Sequence, residues 1–242
     1  LFYHKALTTD LDGDGIKDLI TVGEEKTAGF APSERAEVRW YKGTSSGDRF
    51  VKSPRFIGEG LGSLPELYDV DEDGDMDIVS AEFFAALGAS YTWMEQISAP
   101  NSSNPNGVWK RHVIDGNSGP AIQVRMIEDF YGDGEVIAVG TNHTNPNASP
   151  ADPWPSQAMS YRIPADPTQP WEKTVLTDTF QSVPGSSMSP QAAPGVFGAG
   201  DVDNDGDWDL IISGDGDARL FILEQKENEN FLVHVLDENK GQ

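Results

Sequence analysis

The chain of 242 residues contains no cysteine. Disulfides are therefore excluded as the staples of the fold, and the redox compartment stays open. Cations are scarce: 17 Lys and Arg stand against 40 Asp and Glu, a net charge of −23. That balance argues against nucleic acid or an anionic membrane as a partner. No apolar run is long enough to span a bilayer, so membrane insertion is not expected. The chain opens on Leu1 with neither an initiator Met nor the apolar h-region of a signal peptide, which reads as a processed or trimmed start. Familiar catalytic signatures are missing as well: there is no H-E-x-x-H, no phosphate loop and no Cys nucleophile. No helical periodicity is visible, and the length fits one all-β domain or two ordinary ones.

What the chain has in excess is aspartate, in a fixed pattern. DLDGDGIKD begins at Asp10, DVDEDGDMD at Asp69 and DVDNDGDWD at Asp201, each leading into an apolar run. All three read D-x-D-x-D-G-x-x-D. Two carboxylates about 4–5 Å apart repel by roughly 3–4 kcal/mol at an effective dielectric near 20, a repulsion that a bound cation would offset. Solvated acidic turns are the alternative, against which the threefold repetition of the spacing stands. Hard oxygen ligands on a tight turn suit Ca²⁺. The pattern assigns Asp10, Asp12, Asp14 and Asp18 to a first site, Asp69, Asp71, Asp73 and Asp77 to a second, and Asp201, Asp203, Asp205 and Asp209 to a third. Position 7 (Ile16, Asp75, Asp207) varies in type and is expected to offer its backbone carbonyl. An EF-hand would need Glu at position 12 and flanking helices. Position 12 is Thr21, Ser80 and Ile212, and the residues after each loop are short and rich in β-branched types, as strands are. About three calcium ions are expected, in the secreted or cell-surface setting where free calcium is high. Three N-x-S/T sequons, beginning at Asn101, Asn142 and Asn147, lend weak support to a secretory route.

The loop starts at 10, 69 and 201 leave room for a fourth member, and EDFYGDGEVIAVG supplies it. Asp129, Asp133 and Gly134 keep positions 1, 5 and 6, while Tyr131 and Ile137 replace the acids at positions 3 and 9. This loop should keep the turn and lose or weaken the metal. Around every loop the same unit recurs. A strand precedes it (Tyr3–Thr9, Pro65–Tyr68, Gln123–Glu128, Val196–Gly200) and one follows it. A third strand comes at 38–43, 91–96, 158–164 and 218–224, and a fourth at 55–58, 109–115, 171–178 and 231–238. Four strands in each of four units predict an all-β propeller of four-stranded antiparallel blades, near 1–60, 61–120, 121–180 and 181–242. A β-sandwich would not need the same acidic turn once per unit.

The loops and the surrounding VFGAGDVDNDGDWDLIISG resemble FG-GAP or VCBS repeats, the integrin-like calcium-binding β-propeller family. The resemblance runs through four repeats and implies calcium in the D-x-D-x-D-G-x-x-D loops. It does not imply one activity, because the family serves adhesion proteins, lectins and accessory domains of enzymes. Its rings usually close with about seven blades. Four visible blades imply a longer propeller, an unusual closure, or further blades from a partner chain.

In an up-and-down blade the acidic turns share one end with the connections between strands three and four. The long connections 23–36, 81–90, 141–157 and 179–195 gather at the other end, and only GDGD at 214–217 is short. Phe30, Phe83, Phe84, His143 and Trp154 lie in them and are the candidate ligand contacts. The alternative is that these aromatics pack their own loops. GTSSG at 43–47 matches G-x-S-x-G, but a nucleophile elbow needs a strand, a turn and a helix. His112 and His234 stand at matching places on fourth strands, and Trp40, Trp93 and Trp208 read as blade packing. The reading is a secreted binding or adhesion module for a glycan or an extracellular protein. The alternatives are the propeller portion of a sugar lyase or dehydratase, and a structural spacer.

Overall fold

The computed structural model describes residues 2–25, 35–83, 88–147, 153–183, 192–227 and 229–237. Among them there is no helix. Sixteen strands form four antiparallel four-stranded sheets, each ordered as it is in sequence. The first sheet holds β1 (Phe2–Thr9), β2 (Asp18–Glu24), β3 (Ala36–Tyr41) and β4 (Arg55–Glu59). The second holds β5 (Ser63–Tyr68), β6 (Asp77–Ala81), β7 (Tyr91–Ser98) and β8 (Val108–Asp115). The third holds β9 (Ala121–Glu128), β10 (Val136–Asn142), β11 (Ala158–Arg162) and β12 (Glu172–Thr177). The fourth holds β13 (Phe197–Gly200), β14 (Asp209–Ser213), β15 (Leu220–Lys226) and β16 (Asn230–Asp237). This is the meander of a propeller blade, four times over, and the strand ends expected from sequence hold to within a few residues.

The chain falls into two compact units. One is Leu1–Gly116 with Asp166–Pro170; the other is Asn117–Ala165 with Trp171–Gln242. Each unit contains two blades. In the first, β1 and β2 lie against β5, and β4 against β8. The second strands of the first three blades are buried nearly throughout, because both faces of the sheet are covered there, whereas β14 exposes Ile211. The edge strands β1, β12 and β16 alternate or face outward instead.

The core of the first unit gathers Leu11, Ile20, Val38, Trp40, Ile57, Ile78 and Met94, and that of the second gathers Phe130, Ile137, Val139, Leu210, Ile212 and Phe221. Trp40 and Trp93 sit at one register position, paired with Arg55 and His112 on the fourth strands. Arg55 lies 4.7 Å over the Trp40 ring, and His112 stacks on Trp93 at 4.5 Å. Both indoles are fully buried and serve as blade packing, as does Trp208 against the second core.

Two sequence signals change meaning in the fold. GTSSG leads into the turn between β3 and β4, where Gly43 bridges Phe50 and no helix follows, so Ser45 has no elbow to sit on. Asn142 is buried, its Nδ2 donating to the carbonyls of Ser118 (3.0 Å) and Pro155 (2.6 Å). The nitrogen a glycan would need is therefore occupied, and this sequon is a structural asparagine.

Trp93→Ala should cost about 3–5 kcal/mol, the usual range for emptying a large aromatic site in a core. Urea unfolding followed by circular dichroism measures it. A loss under 1 kcal/mol would show that the second blade does not depend on this packing.

Candidate metal centres

Each acidic loop joins the first and second strands of its blade and is shaped by its own backbone. Position 6 is left-handed in all four: Gly15 (φ 86°), Gly74 (98°), Gly134 (83°) and Gly206 (100°). Position 4 is left-handed too, occupied by Gly13, Glu72, Gly132 and Asn204. Two such residues curl the chain so that successive N–H groups point inward. The carboxylate at position 1 collects two of them. Asp10 accepts from Asp14 (3.0 Å) and Gly15 (2.8 Å), Asp69 from Asp73 and Gly74, and Asp201 from Asp205 and Gly206. Position 5 then accepts the N–H of position 7: Asp14 from Ile16, Asp73 from Asp75, Asp205 from Asp207.

Position 9 is different in kind. Asp18, Asp77 and Asp209 are buried. One oxygen of each accepts the N–H of position 2 (Leu11, Val70, Val202) at 2.8–2.9 Å. The other accepts an N–H on the third strand or just past its end: Gly43 at 2.6 Å, Gln96 at 2.8 Å and Gln225 at 2.9 Å. One carboxylate thus ties the loop to the blade. Gly43 is required where it stands, since a Cβ there would lie 2.2 Å from the Lys17 carbonyl oxygen.

Positions 1, 3 and 9 converge. Asp10, Asp12 and Asp18 each offer an oxygen, all within 4.8 Å of one another, and so do Asp69, Asp71 and Asp77, and Asp201, Asp203 and Asp209. Oxygens bound to one Ca²⁺ at about 2.3–2.6 Å can be no farther apart than roughly 5 Å, so the three sets fit a calcium ion. The position-5 aspartates lie outside these sets. Asp71 Oδ1 and Asp75 Oδ1 are buried with no protein partner, as is Asp12 Oδ1. The field around the second loop is accordingly harsh. Burial pushes Asp77 up to about 7 despite its two N–H bonds, and burial followed by neighbouring carboxylates raises Asp71. Burial raises Asp75 and Asp18 as well.

The fourth member of the set keeps the turn without the acids. Gly134 and Glu135 donate to Asp129 (2.7 Å) and Asp133 (3.0 Å), as in the other loops. Tyr131 turns its hydroxyl to Ser160 at 2.7 Å, and Ile137 is fully buried in the core. No group of three acids converges there among the described residues.

Residues 10–80 match the FG-GAP-like repeat family. This stretch carries the FG-GAP-like repeat. The matched FG-GAP stretch runs from position 1 of the first loop to position 12 of the second, one whole period plus the next acidic turn. No curated protein matches the chain.

The candidate ligand contacts lie apart from the acidic turns of their own blades. Trp154 covers Gly119, where a Cβ would meet the indole at 2.8 Å. The methyl of Thr144, next to His143 in sequence, closes on the same glycine. His143 is mostly buried, with Nδ1 3.1 Å from the Pro194 carbonyl and Nε2 3.5 Å from Asp215. Phe83 tilts against His4 at 6.3 Å. Phe30 and Phe84 lie outside the described residues. Sequence reasoning missed Lys42, Glu95, Arg162 and Glu224, which face the acidic loops from the third strands. Only the strand register brings them into one column, because connections of unequal length separate them from their loops.

Two outcomes follow for the second loop. Asp77→Ala leaves the N–H groups of Val70 and Gln96 unpaired and should cost about 2–5 kcal/mol with or without calcium. Asp71→Ala should cost stability only in calcium; equal losses in EDTA from both variants would refute the division of roles. The second outcome concerns pH. The folded value of Asp77 lies above the ordinary one, so its proton stabilises the fold below about pH 4 and that stability is lost as pH rises through about 7. In EDTA the melting temperature should fall from pH 5 to pH 8, with a shallower slope in Asp77→Asn. An unchanged slope in that variant would remove Asp77 as the cause.

Proposed function

We propose that the protein is a calcium-stapled extracellular binding module. The observation that carries this reading is the contrast between the two ends of the blades. At one end the same carboxylates converge in three blades. At the other, the connections differ from blade to blade in length and composition, as a recognition surface does. Asp10, Asp12 and Asp18 would hold an ion in the first loop, with the corresponding triads in the second and fourth blades. The ion supplies positive charge where aspartates crowd, and the residues supply the rest: backbone N–H bonds that shape the loop, and a buried carboxylate that locks it to the third strand. An extracellular setting is supported by the FG-GAP match, since such repeats are typical of extracellular proteins, and by loops suited to the millimolar calcium found there. No helix of the described residues is long and apolar enough to cross a membrane.

The partner in this reading is a glycan or an extracellular protein, and nucleic acid is disfavoured by the charge of −23. Trp154 and His143 are its contacts in the second unit, and Phe83 in the first. The half-buried Trp154 indole, fixed over Gly119, is suited to stacking on a sugar face.

Two measurements bear on this proposal. Saturating calcium at a hundredfold excess over Kd should add roughly 2.7 kcal/mol per site, so the melting temperature should rise by many degrees over that in EDTA; an unchanged melt would sink the staple. A glycan array run in calcium should give signals that Trp154→Ala lowers at temperatures where the fold is intact, whereas Asp205→Ala lowers the melt and spares binding at such temperatures. Loss of binding by folded Asp205→Ala would place recognition at the metal end instead.

A further inference from the structure

The strand register sets one column of side chains against the four acidic loops. Leu19, Ile78, Ala138 and Leu210 pair with Tyr41, Met94, Tyr161 and Leu223. The next residues along are Lys42, Glu95, Arg162 and Glu224, which alternate in sign from blade to blade.

In the first blade the Lys42 ammonium donates to Asp12 and, at 2.5 Å, to Asp14. In the third, Arg162 donates to Asp133 (2.8 Å), Glu135 and Glu229 (2.6 Å), with its guanidinium 5.1 Å from the Tyr131 ring centre. A cation is thus already built into both loops. The second and fourth blades place a carboxylate in the column. After burial, Glu95 is among the acidic neighbours that raise Asp71, and Glu224 stands in the same relation to Asp203. Each is held from the fourth strand by a histidine, His112 on Glu95 and His234 on Glu224. Lys226 reaches the fourth loop only from its edge, paired with Glu224 and 3.9 Å from Asp203. Among the described residues, no Lys or Arg is ion-paired with the second loop, where two buried carboxylate oxygens lack a protein partner.

We propose that this column sets the cation affinity of each loop. Lys42 is a tethered counter-ion that a divalent cation must displace from the first loop. Glu95 leaves the second loop open and adds negative charge to it, while Glu224 holds Lys226 at the edge of the fourth loop, 3.9 Å from Asp203. Arg162 fills the third loop permanently, because Tyr131 and Ile137 offer no carboxylate to an incoming ion. The physical ground is that affinity for a hard cation rises with the net negative charge of its site, and an ammonium between two of the ligands lowers that charge while occupying their lone pairs. The inference rests on the calcium reading above, and it replaces three equal sites by two tight ones and one weak one.

The test is calcium titration of the EDTA-stripped chain, followed through the amide resonances of Gly15, Gly74 and Gly206. Each donates to the position-1 aspartate of its own loop, at 2.8, 3.0 and 3.2 Å, and so reports that loop alone. Gly74 and Gly206 should respond first, and Gly15 at a calcium concentration higher by about tenfold or more. Lys42→Met should bring the Gly15 midpoint down towards the other two and leave theirs in place. Lys42→Arg, which keeps the charge, should leave Gly15 late, and Glu95→Lys should delay Gly74. A dispersed amide spectrum shows that each variant is folded. Equal midpoints in the wild type, or an unmoved Gly15 midpoint in folded Lys42→Met, would overturn the inference alone. No response from any of the three glycines would overturn the calcium reading and the inference with it.

Discussion

Asp18, Asp77 and Asp209 each hold a carboxylate in the interior, between an N–H of the acidic loop and an N–H at the third strand. Such a group is costly to bury and more costly to leave half-satisfied. Its two bonds fix where the loop enters the blade and how far the third strand sits from it. The other acids of the loop are then carried into the space above the buried one, where they repel. The strand order follows from the apolar runs, but the local geometry of three blades depends on this one side chain and on what neutralises the charges gathered around it.

Neutralisation is achieved in more than one way in the same chain. Among the described residues the second loop brings its oxygens together with no protein cation paired to them, the first has Lys42, and the third has Arg162 in place of two lost acids. Tyr131 and Ile137 show how a blade forgoes the buried carboxylate: an apolar side chain enters the core, and a hydroxyl goes to Ser160. The turn survives because Asp129, Asp133 and the left-handed glycines still satisfy its backbone. The convergence of carboxylates and the shape of the loop are therefore separable properties of this motif.

Much of the fold was legible because two periodic signals coincide. The acidic loop marks the start of every second strand, and alternation or continuous burial marks the strands themselves, so all sixteen appear in the sequence in order. The division of labour within the loops was less legible. The sequence spacing treats positions 1, 3, 5 and 9 as equals, whereas position 5 spends an oxygen on its own turn and position 9 is a structural tie. Nothing in the spacing separates these, since burial is set by the neighbouring strand. The column of Lys42, Glu95, Arg162 and Glu224 was hidden for a related reason. Its members share a register position, one in each of four separate sheets, and are scattered in sequence. Asn142 carries the sequon triplet, but its environment decides whether the amide is free, and its Nδ2 is taken up by two carbonyls.

Amide hydrogen exchange tests the central claim most directly, at the N–H groups of Leu11, Val70 and Val202 in the loops and of Gly43, Gln96 and Gln225 at the third strands. If the buried carboxylate is the tie, all six exchange slowly in EDTA, far more slowly than the neighbouring loop amides of Asp12, Asp71 and Asp203, and calcium slows them further. Exchange at the open-loop rate in EDTA, with or without an effect of calcium, would contradict the account, because the loops would then be held by the ion alone and not by the aspartate at position 9.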